Sequence, residues 1–140
     1  MEPQVIDVVA KLRNLESVEK FGLVLDSRYP HFGASPDAVS EEYVIEVKCP
    51  TSAHTKTHYV KTNGNVTEKV LAQVHLQMLL CRKMKALLCV ASPDFETSRE
   101  VQVVEIDYFP QFIHEMIRKA DDFWKTFIFP KLVSFVRKDI

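Results

Sequence analysis

Between Pro3 and Glu16 the apolar residues Val5, Val8, Val9, Leu12 and Leu15 recur at spacings of three and four. That is the period of an amphipathic helix, and Pro3 suits its first turn. The segment FGLVLDS (residues 21–27) predicts a short strand that ends in the turn-rich SRYPHFGASPD. YVIEVK (43–48) predicts a second strand, stopped by Cys49-Pro50. From Pro50 to Asn65 the chain is mostly Thr, His, Lys, Asn and Gly, which predicts a long exposed loop, a feature uncommon outside functional segments.

EKVLAQVHLQMLLCRK (68–83) predicts a helix with Val70, Val74, Met78 and Cys81 on one face. ALLCVA (86–91) is continuously apolar and predicts a buried strand, whereas VQVVEID (101–107) alternates and predicts a strand nearer a sheet edge. SPDFETSR (92–99) between them reads as a turn. From Phe109 to Phe127 a long amphipathic stripe of Phe, Ile, Met, Ala and Trp predicts a helix packed against a core and interrupted at Pro130. Helix, strand, turn, strand, loop, helix, strand, strand, helix is the order of an α/β sheet flanked by helices.

With 140 residues, 46% hydrophobic and 26% charged, the chain has the size and balance of one globular domain rather than of a disordered segment. No apolar run approaches the roughly 18 residues of a membrane span. The start, MEPQVIDVV, lacks the basic-then-apolar order of a signal peptide. Cys49, Cys81 and Cys89 form no CxxC pair and are odd in number, the pattern of reduced thiols in an intracellular reducing compartment, cytoplasm or nucleus.

The net charge of −1 excludes a histone-like polycation, but its distribution is uneven. Residues 51–90 carry six basic residues and one acidic, while the flanking segments are net acidic. Lys56, Lys61, Arg82, Lys83 and Lys85 are therefore candidate phosphate-facing residues. His54, His58 and His75 lie in the same segment, yet their spacing and the lack of a paired cysteine do not match a zinc site.

The chemistry concentrates in GASPDAVSEEYVIEVKCP, residues 33–50. Strand alternation puts Val44, Glu46 and Lys48 on one face of YVIEVK and Ile45 and Val47 on the other. A turn separates Asp37 from Glu46 and returns it to the same end of the sheet. Two such carboxylates repel unless a hard cation sits between them. Mg²⁺ takes few protein carboxylates and accepts substrate phosphates as further ligands, and Lys48 would be a point charge beside the attacking water.

An ExK strand alone is a common surface pattern, but the words around it are specific. MEP (1–3), GASPDAV (33–39), IEVKCP (45–50) and AQVHLQM (72–78) together resemble the PD-(D/E)xK nuclease superfamily. Within it they resemble the YqaJ-like branch that includes phage lambda exonuclease and the viral alkaline nucleases. The resemblance spans roughly residues 1–92 and implies a restriction-endonuclease-like core, with a central mixed sheet flanked by helices.

It further implies that Asp37, Glu46 and the backbone carbonyl of Val47 hold Mg²⁺, for which Mn²⁺ can substitute, and that Lys48 positions the nucleophilic water. Gln73 matches the first glutamine of the family's QxQ helix, where His75 replaces the second. Glu2 matches a helix-borne acid of the site, and its helical phase with Val5, Val9 and Leu12 turns it inward. Family members continue upstream of the MEP word, so the chain is expected to lack N-terminal residues of the family. The implied activity is 5′-to-3′ exonuclease action on double-stranded DNA in recombination or replication, by a homo-trimer working with a single-strand annealing protein and no membrane. Two alternatives are a structure-specific endonuclease or resolvase of the same superfamily and a non-catalytic DNA-binding module that keeps the fold.

Overall fold

A computed structural model describes residues 1–20, 22–30, 32–128 and 130–131. The chain divides into two compact units, Met1–Tyr108 and Phe109–Ile140. The first contains, in order, α1 (Glu2–Arg13), β1 (Val24–Leu25), β2 (Gly33–Ala34), β3 (Ala38–Val39), β4 (Tyr43–Lys48), α2 (Ala53–Lys56), α3 (Glu68–Cys81), β5 (Lys85–Ala91), α4 (Phe95–Ser98) and β6 (Val101–Asp107). The second contains α5 (Pro110–Phe123), continued by a π-helical turn over Trp124–Ile128.

The main sheet has the order β3-β4-β5-β6. β4 and β5 run parallel, and the other pairings are antiparallel. This is the mixed sheet flanked by helices that the sequence predicts, with continuously apolar β5 inside and alternating β6 at the edge. Helix α3 is the crossover that two parallel neighbours require. Period-two alternation sorts β4 between two cores. Ile45 and Val47 join Val5, Ile6, Val9, Leu87, Cys89 and Phe95 on the α1 face. Val44 joins Val70, Val74, Met78, Leu88 and Val90 on the α3 face.

Several predicted elements are revised. Helix α1 ends at Arg13 rather than Glu16, because Asn14 takes the left-handed conformation (φ 51°) and its N–H caps Ala10 O. Its buried arc is Val5, Ile6 and Val9, and Leu12 in the last turn is 67% exposed. Of residues 21–27 only Val24–Leu25 is strand, paired with Gly33–Ala34 in a separate two-stranded sheet; Phe21 lies outside the described residues.

The expected loop after Pro50 contains structure of its own. Ser52 Oγ accepts from Thr55 N–H at 3.1 Å and caps α2. A tight turn then closes with Lys61 N–H on Asn65 O at 2.7 Å, Gly64 supplying φ +88°, and Val60 bridges Val66. Segment 92–99 includes the one-turn helix α4, which buries Phe95. In the second unit Ile113 is buried, but Phe109, Phe123 and Phe127 of the expected core stripe are exposed. Among the described residues no helix is long and apolar enough to cross a membrane.

The three thiols differ sharply in environment. Cys49 is exposed, Cys81 is half-buried, and burial pushes the Cys89 thiol up to about 12. Since the thiolate is the reactive form, a disulfide reagent near neutral pH should label Cys49 in the native protein and Cys89 only after unfolding. Equal labelling rates for the two, followed by peptide mass spectrometry, would contradict this burial.

Candidate active site

The β3–β4 hairpin brings the two central carboxylates together. Ala38 pairs with Ile45 and Val39 with Val44, so one further step of the register sets Asp37 opposite Glu46. Asp37 is held at both ends: its N–H donates to Ile45 O at 3.1 Å, and its Oδ2 accepts from Val47 N–H at 2.7 Å. Along β4, Tyr43 and Ile45 direct their carbonyls toward β3, where the N–H groups of Ser40 and Asp37 meet them. Val47 has the same phase. Its carbonyl points to that edge beyond the end of β3, on the side of the Asp37 carboxylate.

Glu46 is 5% exposed on the α3 face. Gln73 Nε2 donates to its Oε1 at 3.0 Å, and Gln77 Nε2 donates to its Oε2 at 2.8 Å. Lys48 Nζ lies 3.4 Å from Glu46 Oε1 and donates to Gln73 Oε1 at 3.1 Å. The Lys48 ammonium also sits 5.5 Å from the centre of the Tyr59 ring, within cation–π range. Burial pushes the Glu46 carboxyl above its ordinary value, and the Asp37 charge adds to that push. The Gln77 hydrogen bond and Lys48 oppose it.

Gln77, one turn beyond Gln73 on the same helix, reads from sequence equally well as a polar surface residue and is not assigned to the site by the QxQ pattern. In a helix the residue two after Gln73 points to a different side, whereas the residue four after it lies one turn along the same face. His75 accordingly turns away from Glu46. Its Nδ1 lies 2.8 Å from Leu71 O and its ring stacks on Tyr108 with centroids 6.0 Å apart, while burial holds its pKa below the usual imidazole value. Gln77 is 2% exposed, and its buried Oε1 has no hydrogen-bond partner among the described residues.

Glu2 is exposed in the first turn of α1 rather than turned into the core. It does reach the site's edge: partial burial and the adjacent Asp37 carboxylate raise its pKa, with Lys20 opposing. The five predicted phosphate contacts separate. Lys56 and Lys61 follow β4 at the end of the sheet that carries Lys48. Lys85 pairs with Tyr43 at the other end, where it forms ion pairs with Glu42 at 3.2 Å and Glu105 at 3.5 Å. Arg82 caps the same end of α3, and Lys83 Nζ donates to Glu41 O at 2.7 Å. Arg82, Lys83 and Lys85 are therefore remote from the carboxylates.

Among the described residues, no group of three or more His, Cys, Asp or Glu side chains forms a ready cation cage. Asp37, Glu46 and the Val47 carbonyl nonetheless make an all-oxygen donor set of the kind hard divalent ions use. A carboxylate has about four lone-pair sites, so the bonds to Asp37 and Glu46 do not exhaust either group. Beyond the effect of burial, the Asp37 charge adds to the upward push on Glu46 and Glu2, which is the electrostatic condition that a cation relieves. The residues fit Mg²⁺ or Mn²⁺.

The sequence profile of the YqaJ-like viral recombinase domain matches residues 1–84, more than half of the chain. The protein belongs to this family. The match contains Glu2, Asp37, Glu46, Val47, Lys48, Gln73 and Gln77. No curated protein matches the sequence. Among solved structures, an alkaline exonuclease from Laribacter hongkongensis superposes with a TM-score of 0.82 at 21% identity, covering 99% of this chain and 70% of that one. The dAMP complex of that exonuclease gives 0.81 at 21% identity, covering 99% and 69%. A phage-related exonuclease from Haemophilus somnus gives 0.63 at 17% identity, covering 96% and 70%. The YqaJ-like domain thus shares its fold with exonucleases.

The buried amide–carboxylate contact has a signed pH dependence. Gln77 stabilises the ionised form of Glu46, so its loss matters above the raised Glu46 pKa and fades below it. Without divalent cations, Gln77→Leu should cost about 1–3 kcal/mol near pH 8 and clearly less near pH 4. Urea unfolding measures both, and an equal loss at the two pH values would mean that the amide does not support a buried charge.

Proposed function

We propose that this YqaJ-like domain is a Mg²⁺-dependent deoxyribonuclease that hydrolyses double-stranded DNA from its ends in the 5′-to-3′ direction. The observation that carries this reading is the side-by-side placement of Asp37, buried Glu46 and Lys48, with Asp37 held by the Val47 N–H and Gln73 joining Glu46 to Lys48. A polar cluster of that kind costs folding free energy and contributes little as packing, which favours a chemical role over incidental surface charge. The alkaline exonuclease fold supports the same activity, and the intact set speaks against a non-catalytic module.

Asp37, Glu46 and the Val47 carbonyl would hold the cation, which when bound supplies Lewis-acid polarisation of the scissile phosphate. The protein's own groups handle the water. Lys48 Nζ, fixed by Gln73 Oε1 and Glu46 Oε1, donates to the attacking oxygen and favours the negative charge that develops there. The Gln73 amide joins Lys48 to Glu46 and so sets the lysine's angle to the carboxylate. Glu2, beside Asp37 and with its pKa raised, can accept a proton from the water at the site's open edge. Assembly as a homo-trimer and pairing with a single-strand annealing protein complete the reading.

End-labelled linear duplex and closed circular DNA, each followed with Mg²⁺, Mn²⁺ or EDTA, test this directly. The expected outcome is progressive shortening of the linear substrate from the 5′ end, an intact circle, and no cleavage in EDTA. Cleavage of the circle would move the assignment to an endonuclease, and full activity in EDTA would end it. Lys48→Ala should remove most of the turnover, by about 10²-fold or more, while the chain still folds and keeps much of its DNA affinity. Turnover at the parental rate would show that Lys48 does not act on the water.

A further inference from the structure

We propose that a groove beside the carboxylate centre, at the same end of the sheet, binds the phosphate backbone of a DNA strand through Lys56, Lys61 and Arg99. The proposal rests on DNA being the substrate, as argued above. Its location follows from the strand register. Lys48 pairs with Val90, and Val90 pairs with Gln102, so all three stand level across β4, β5 and β6. The edge strand β6 is two strand spacings, about 10 Å, from the Lys48 strand. That distance equals about three phosphates at a rise of roughly 3.4 Å per nucleotide along a strand.

Two cavities open there and adjoin. One, of about 540 Å³, is lined by Lys56, Ser92, Arg99, Glu100 and Gln102 among others. The second, of about 290 Å³, is lined by Lys56, Thr57, Lys61, Thr62, Gly64 and Gln102. Lys56 and Gln102 belong to both, so the two form one elongated groove. It carries three cations against the single carboxylate of Glu100, with hydroxyl and amide groups between them. An extended polyanion matches this distribution, because each phosphate can meet a cation or a neutral donor in turn.

Arg99 is the member that its sequence context conceals, since it closes what reads as an ordinary turn. Its guanidinium lies 5.3 Å from the centre of the ring of Phe95, itself 1% exposed. That contact restricts the arginine before any ligand arrives and leaves its planar donor fork available for phosphate. Ser92 N–H donates to Glu100 O at 2.9 Å and closes the base of the turn that presents Arg99. The Lys61 turn is tied just as locally, through Asn65 and Gly64.

The test is a salt series of affinities for a labelled duplex, with the full chain and with Ca²⁺ replacing Mg²⁺ to hold DNA uncut. Lys56→Gln, Lys61→Gln, Arg99→Asn and the triple variant are compared with the parent, and Arg82→Gln serves as the control from the opposite end of the sheet. Asparagine is used at position 99 because the backbone there has φ 58°, a conformation that asparagine tolerates. Each groove variant should lower the magnitude of the log Kd against log salt slope by about 0.9, with the triple variant showing the sum and Arg82→Gln the parental slope. Thermal unfolding verifies folding, and the two lysine variants alone decide the matter if Arg99→Asn unfolds. Parental affinity and slope in the folded groove variants would overturn the groove while leaving the nuclease reading intact. A parent that neither binds nor cuts DNA would instead overturn the nuclease reading.

Discussion

The buried carboxylate of Glu46 is the constraint around which the rest of the first unit is organised. An ionised carboxylate out of water is tolerated only when charges and hydrogen-bond donors replace its hydration. Here the replacements come from α3, as two amides one helical turn apart, and from Lys48 two residues along the same strand. Helix α3 must therefore lie over β4 at a fixed height and rotation. Val70, Val74 and Met78 secure that position by packing on Val44 and Leu88 of the sheet. One-turn slippage would leave the charge with only one of its two amides in reach, so apolar packing and the polar site specify the same register.

The opposite face of β4 supplies the other half of the site by a different device. Ile45 and Val47 face α1, and their backbone groups, directed toward β3, receive and fix Asp37. A carboxylate accepting a backbone N–H is oriented by the chain itself and depends little on side-chain entropy. Glu2 arrives from α1 without comparable anchoring, since it is exposed in the first turn of its helix. The three acids thus form a gradient, from Glu46, locked by side chains on a second element, through Asp37, locked by backbone, to Glu2, placed by charge and helix position.

Most of this arrangement was legible because it depends on short-range periods. Alternation in YVIEVK separates Glu46 and Lys48 from Ile45 and Val47, and SPDAVSEEYVIE is long enough for one hairpin to set Asp37 opposite Glu46. Gln77 was visible as a polar residue one turn beyond Gln73, but a motif spaced two apart assigns it no role, and sequence alone does not separate a buried donor from a surface amide. Leu12 and the 109–127 stripe show the limit of periodicity, which identifies an apolar face without saying what covers it. The small elements at 53–56 and 95–98 escaped for a related reason. Four-residue helices are set by a cap such as Ser52 or a single buried anchor such as Phe95, and neither produces a repeating pattern.

The distribution of charge follows from sheet direction rather than from sequence position. The basic excess of residues 51–90 is contiguous in the chain, but α3 carries the chain from one end of the sheet to the other, so its cations divide. Those before α3 remain with the carboxyl ends of β4 and β5, the side where open α/β sheets present their ligand sites. Those after it enter the start of β5. There Lys85 meets Glu42 and Glu105, and Glu105 also accepts from Tyr43 and pairs with Arg13. That network pairs Glu42 and Glu105 with cations, and its lysine is already committed to carboxylates. On the proposed reading, a polyanion would meet Lys56 and Lys61 at the end that holds Glu46 and Lys48, where chemistry on a phosphate would require it to arrive.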